Sequence, residues 1–352
     1  MSAPLASSPP DPAPAPSLLE EVRRVWGQFP NRAAVLVLLG AWVALFHLLG
    51  NSTLGYTTTR SLFGWWYWVM TVTARDQQGK VDINQVLNAD EFHAWIIPVV
   101  VLVLLWVRRD QLAALPKAVW WPALLVVVAA LGAHFLGYLI QQTRISVLAF
   151  FLGIYGLTGL FWGWPWLRSA MFPFLLFFFC VPLGVAAEPL TVPLRLLATT
   201  CTSYFCQGAL GIDVLQEGNR LFDPARTYSY EVAMVCSGIK SLTTIIAFGV
   251  IYAYLGFQSW WRRALIVATA IPLAVAANVC RLSLIIIAAE TFSPEAGNYV
   301  HDSGLLSLVP YIPAFGGMLL LGWWLRENRP PRPPRVPRPD ALLPGVETGT
   351  KP

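Results

Sequence analysis

The sequence is poor in charge. Only 12% of its 352 residues are Asp, Glu, Lys or Arg, about half the share of an ordinary soluble domain. That is too little polar surface to cover a water-soluble globule. Also missing are the phosphate-cradling patterns GxxxxGK[ST] and GxGxxG, the zinc-protease pattern HExxH, the CxxC pair and any internal repeat. These gaps exclude nucleotide-driven chemistry of the common kinds and thioredoxin-like redox work. Five cysteines, at positions 180, 201, 206, 236 and 280, have no metal-ligand spacing, so neither a metal site nor a cofactor is expected. Cys201 and Cys206, five apart on one helix, point to different faces and should not bridge. Cys180 and Cys280 read as small buried hydrophobes within apolar spans.

What the chain does have is apolar length. It is 56% hydrophobic with 16 tryptophans, and its apolar residues fall in blocks long enough to cross about 30 Å of hydrocarbon at about 1.5 Å per helical residue. The expected fold is an all-α polytopic membrane protein with eight transmembrane helices near 33–50, 93–107, 118–140, 145–161, 169–187, 239–257, 264–288 and 303–325. No A-x-A cleavage site follows the first block, which therefore reads as an anchor that is kept. Residues 1–32 read as a disordered cytoplasmic N-terminus, 33–325 as the membrane domain and 326–352 as a basic, Pro-rich cytoplasmic tail lying against anionic lipid. Nucleic acid is not an expected partner of that tail, because no folded scaffold or interleaved aromatics accompany its charges.

Basic residues set the orientation. With the N-terminus cytoplasmic, the inner segments hold fifteen (Arg23, Arg24, Arg32, Arg108, Arg109, Lys117, Arg168, Arg262, Arg263 and six in the tail), and the longer outer segments hold seven (Arg60, Arg75, Lys80, Arg144, Arg195, Arg220 and Arg226). The positive-inside rule then places both termini in the cytoplasm. Tryptophan pairs at 65–66, 120–121, 260–261 and 323–324 fall near span ends, as interfacial belts do.

Two outer segments are long. Residues 51–92 carry an aromatic run, Trp65 to Trp68, that predicts an interfacial helix and then a polar loop. Residues 188–238 open with an amphipathic stretch expected to lie at the interface. Alternating patterns at 212–217 and 228–235, with Gly218, Asn219, Asp223 and Pro224 between them, then predict a small extracytoplasmic β-hairpin before the sixth span. That hairpin delivers the chain to Cys236.

Three groups at outer span ends carry chemistry. Cys236 stands before the sixth span, where a helix N-terminus favours thiolate. Arg281 is expected about 10 Å inside the outer end of the seventh span. It is one of two intramembrane charges, with Lys240, and such charges cost at least about 2.5 to 3.5 kcal/mol at mid-bilayer. His301 stands in the loop leading to the eighth span. A thiol, an imidazole and a guanidinium on one face are the parts of an acyl-transfer site: nucleophile, general acid/base and oxyanion stabiliser. His93, also near an outer span end, is expected to be structural.

The same residues resemble a known family. Val235-Cys236-Ser237-Gly238-Ile239-Lys240-Ser241-Leu242, Asn278-Val279-Cys280-Arg281-Leu282 and Val300-His301-Asp302-Ser303-Gly304 are similar to the C-S-G-[IL]-[RK]-S-L, N-x-x-R-[IVL] and H-x-x-x-G motifs of the exosortase/archaeosortase family, in the same order. Weaker similarity links Glu91 to Trp95, Trp106 to Asp110, Phe172 to Leu176 and Val181 to Leu183 with the family's earlier segments, so that roughly residues 90–325 are covered. The chain departs from it at Lys240, where arginine is common, and at Ala94, where glycine is frequent. The resemblance implies a membrane cysteine transpeptidase that cleaves exported proteins at a C-terminal sorting signal: a short motif such as Pro-Glu-Pro, a transmembrane helix and a basic cluster. By position Cys236 is its nucleophile, His301 its acid/base and Arg281 its stabiliser, with exported substrates, membrane lipids and a cell-surface acceptor as partners. Two other readings stay open: a purely hydrolytic membrane cysteine protease, and a transporter or glycan-handling protein built on helices broken at Pro98, Pro182, Pro272 and Pro310.

Overall fold

The computed structural model describes residues 17–53, 57–72, 75, 79–81, 93–183, 188–231, 239–303, 306 and 309–326. Cys236 lies outside the described residues, as do residues 1–16, 82–92 and the tail from 327. The molecule is mostly helical. Among the described residues three runs are long and apolar enough to cross a membrane, Arg32–Leu49, Thr143–Cys180 and Trp260–Thr291, and His93–Val107, Ala123–Leu139 and Leu242–Gly256 form shorter apolar helices.

The first half packs α1 (Leu18–Gly27), α2 (Arg32–Leu49), α3 (Leu62–Thr71), α4 (His93–Val107), α5 (Arg109–Ala114), α6 (Ala123–Leu139) and α7 (Thr143–Leu175). Helix α1 lies within the N-terminal stretch expected to be disordered. It starts with a capping box in which Ser17 and Glu20 satisfy each other's backbone amides, which offsets the entropy of starting a short helix. Glu21 then pairs with Arg109, and Arg24 with Asp110 at 3.1 Å, fastening α1 to α5. Aromatic side chains fill the core between α2, α6 and α7: Trp42 and Phe46 meet Phe150, and the Trp42 indole donates to the Phe150 carbonyl at 3.0 Å.

At about 1.5 Å per residue the 33 residues of α7 would extend about 50 Å, far beyond the hydrocarbon core. The helix is in fact broken. Gly163 has φ 85° and ψ 175°, a conformation reserved for glycine, and Pro165 follows it. A 3-10 turn, Leu176–Cys180, closes the second limb. The stretches read as separate spans at 145–161 and 169–187 are thus two limbs of one kinked element.

The second half is built from α8 (Glu188–Phe205), strands β1 (Leu215–Glu217), β2 (Arg220–Phe222) and β3 (Ser229–Glu231), and helices α9 (Ile239–Gly256), α10 (Trp260–Thr291), α11 (Pro294–Asp302) and α12 (Tyr311–Trp324). The strands form an antiparallel sheet in the order β1-β2-β3, where the sequence pattern predicts two strands joined by a turn. Residues 220–222, read as part of that turn, pair with both neighbours, because Gly218 and Asn219 alone suffice to reverse the chain between β1 and β2. Leu242, Ile245 and Ala253 of α9, Ile266, Ala270, Ala274 and Ala277 of α10, and Tyr311, Ala314 and Met318 of α12 share one core. Ala247 of α9 packs with Ile97, Val101 and Leu104 of α4 and so joins the two halves. Helix α8 packs on the second half: Leu194 meets the core shared by α9, α10 and α12, and Cys206 just past its end meets Leu282 and Ile286 of α10.

Candidate active site

The site begins with a short helix that its own sequence starts. Ser293 caps α11 by accepting from the Ala296 amide at 3.3 Å, Pro294 occupies the first turn, and Glu295 adds a negative charge where the helix dipole favours one. A hydrogen bond from Ser293 holds the Glu295 carboxyl below its ordinary value. His301, expected in a loop, therefore stands in the last helical turn of α11 and is half-buried.

Arg281 comes to it from the long helix α10. Its Nη2 donates to the main-chain carbonyl of His301 at 3.4 Å, one of the carbonyls that a helix C-terminus leaves without an internal partner. Its Nε is buried and has no acceptor among the described residues. A guanidinium has five N–H donors in a fixed fork, so one edge anchors α11 while the Nε donor remains unused. Helix α10 runs to Thr291, and Arg281 lies about 27 Å along its axis from Arg263. That distance is close to the thickness of the hydrocarbon core.

One turn before Arg281, Asn278 lines a small cleft with Ala274 and Val275 of α10, Leu194 of α8 and Leu242 of α9. The start of α9 therefore lies against the face of α10 that carries Asn278 and, three residues on, Arg281. Cys280 is exposed, contrary to its reading as a buried hydrophobe, while Cys180 and Cys206 are buried and Cys201 is exposed. Helical rotation accounts for this: Leu282 and Asn278 face the interior, which turns position 280 outward.

The sheet closes the other side. Tyr228 and Tyr230, two residues apart and so on one face of the strand region, are buried against Ile285 and Ala289 of α10 and Val300 of α11. The Tyr228 hydroxyl donates to Glu290 Oε1 at 2.8 Å. Burial first, then that hydrogen bond and the nearby charge of Glu290, push its phenol well above the ordinary value, so it stays a donor. Burial works to raise the Asp223 carboxyl, but hydrogen bonds from the Tyr228 amide and Thr227 prevail and hold it below the usual range. The Tyr230 hydroxyl donates to the Pro294 carbonyl at 3.3 Å, and its ring lies 6.4 Å from the His301 ring, tilted by 25°.

The structure thus brings Arg281 and His301 together. Cys236 is five residues beyond the end of β3 and three before the start of α9, and Lys240 contributes the second residue of α9, with its side chain outside the described residues. The remaining histidines are in the other half of the chain: His47 bonds Ser61 at 3.1 Å, His134 bonds Ser146 at 2.9 Å, and His93 is buried at the start of α4. Tyr230 and Gly297 were not singled out from the sequence. The one local signal was the alternation Tyr228-Ser229-Tyr230 just upstream of Cys236.

The sequence model of transmembrane exosortases matches residues 84–323, a span that includes every element from α4 to α11 and nearly all of α12. No curated protein and no solved structure matches the chain.

Proposed function

The chain belongs to the transmembrane exosortase family, and from that premise we propose that it cleaves exported proteins at a C-terminal sorting signal through a thioester on Cys236, at the outer face of the inner membrane. The two limbs of α7 count as two of eight spans, both termini are cytoplasmic, and the basic tail lies on anionic lipid. The observation that carries the reading is Arg281: it is held to the His301 carbonyl by Nη2, and its buried Nε donor has no acceptor among the described residues and lies beside the turn that bears the imidazole. Helices α9 and α10 form an antiparallel hairpin in which Leu242 neighbours Val275. In sequence Cys236 precedes Leu242 by six residues and Arg281 follows Val275 by six, and we infer from this that the thiol and the guanidinium meet at one end.

In the mechanism, His301 takes the Cys236 proton and the thiolate attacks the scissile carbonyl carbon, forming the C–S bond. The electron pair displaced onto oxygen is stabilised by the Arg281 fork. The imidazolium meanwhile sits at a helix C-terminus, where a cation is favoured. Collapse breaks the C–N bond, and the imidazolium protonates the departing amine, which leaves with the transmembrane part of the signal. An acceptor amine on the cell surface then attacks the thioester, gives its proton to His301 and releases the thiolate. Water in place of the amine yields hydrolysis by the same steps.

Co-expression with an exported reporter ending in Pro-Glu-Pro, an apolar helix and a basic cluster tests this. Cys236→Ala is expected to abolish processing, whereas Cys180→Ala and Cys280→Ala keep it. Equal processing by all three variants would remove the nucleophile. The mass of the released reporter distinguishes an added acceptor from a free carboxylate.

A further inference from the structure

We propose that Tyr230 of β3 is the positioning residue for the His301 imidazole, a role that rests on His301 carrying the proton in the reaction above. Three observations converge on this tyrosine. Its hydroxyl anchors the first turn of α11 through the Pro294 carbonyl at 3.3 Å. Its ring lies beside the His301 ring, 6.4 Å away and nearly parallel. Between those two points the helix presents Gly297, four residues before His301 and therefore on the same face. A Cβ at position 297 would sit 2.1 Å from the Tyr230 hydroxyl oxygen, 2.9 Å from the Ala289 Cβ and 3.0 Å from the Tyr230 Cζ, so the missing side chain admits both the phenol and the close approach of α10.

The nine-residue helix α11 is thereby held at both ends: at its start by Tyr230, and at its end by Arg281 on the His301 carbonyl. The carbonyl contact fixes the backbone of His301, and the phenol ring restricts the swing of its side chain. Tyr230 is itself seated by Tyr228, whose ring is 5.3 Å away and whose hydroxyl is tied to Glu290 of α10. Since β3 leads in sequence to Cys236, the strand that orients the base is continuous with the segment that bears the nucleophile.

The test uses full-length enzyme reconstituted in liposomes with the Pro-Glu-Pro reporter at varied surface density. Tyr230→Leu is expected to lower the maximal rate about 10- to 100-fold, the scale of losing alignment by about an ångström, with the apparent KM within about twofold of wild type. Tyr230→Phe, which keeps the ring, should lose far less. Gly297→Ala should impair turnover, and Gly297→Ala combined with Tyr230→Phe should recover part of it, because the nearest clashing atom is gone while the contact with Ala289 stays. Wild-type turnover in Tyr230→Leu, or in Gly297→Ala where the Leu variant does not accumulate, overturns the proposal. So does a Leu variant whose loss lies in KM alone. Loss of activity in His301→Ala beside full activity in Tyr230→Leu removes the positioning role alone; full activity in His301→Ala removes the acid/base reading and this role with it.

Discussion

Arg281 anchors a helix end through the His301 carbonyl, and in the proposed reaction it is also the electrostatic partner, a pair of duties that only a planar fork can perform. Arg281→Lys keeps the charge but offers a single flexible ammonium. It is expected to lower single-turnover cleavage of the reporter by about 10²-fold or more, the scale of losing one oxyanion donor, while wild-type protein and variant accumulate alike. Arg281 and His301 were legible in the sequence, since a charge in an apolar block and a histidine beside Asp302-Ser303-Gly304 stand out without any knowledge of contacts. Tyr230 and Gly297 were not. What matters in them is a meeting between residues 67 apart in the chain, and nothing local to either position records it. Cys280 was misread for a related reason: an apolar block shows that a helix spans but not which of its faces is turned inward.

Elements were easier to find than to bound. Apolar blocks predicted α2, α4 and α9 nearly to the residue, whereas α10 begins four residues before its block at 264–288 and ends three beyond it. They failed to predict that two blocks share one element, since the break in α7 lies in a backbone angle. Gly163→Ala places a side chain where φ is 85° and would bring its Cβ to 2.9 Å from the Ala118 carbonyl oxygen. It is expected to destabilise the protein by about 1 to 3 kcal/mol, read as a lower thermal midpoint in detergent. Gly40→Ala in α2, where an added Cβ meets nothing within 4 Å, serves as the control and should leave the midpoint unchanged or raise it slightly. The three-stranded sheet shows the opposite limit: alternation registered the stretches that hold β1 and β3 but not the three residues of β2, which only the pairing reveals.

At the scale of the molecule, the orientation rests on charge counting and can be checked directly. Asp110 and Glu217 both have well-exposed side chains and lie on opposite sides in the proposed topology. A single reporter cysteine at position 217 should react with a membrane-impermeant maleimide in spheroplasts, whereas one at position 110 should react only after permeabilisation; the reverse pattern would invert the protein. The end of the α9–α10 hairpin that holds Arg262 and Arg263 is tightly fastened. Arg263 donates to the carbonyls of Phe257 and Tyr254 at 2.7 and 3.5 Å, Arg108 donates to the Tyr254 hydroxyl at 2.5 Å, and Phe172 stacks on the Tyr254 ring. The pair is in effect a tuning fork gripped at its stem, and bending of either helix is least at that end.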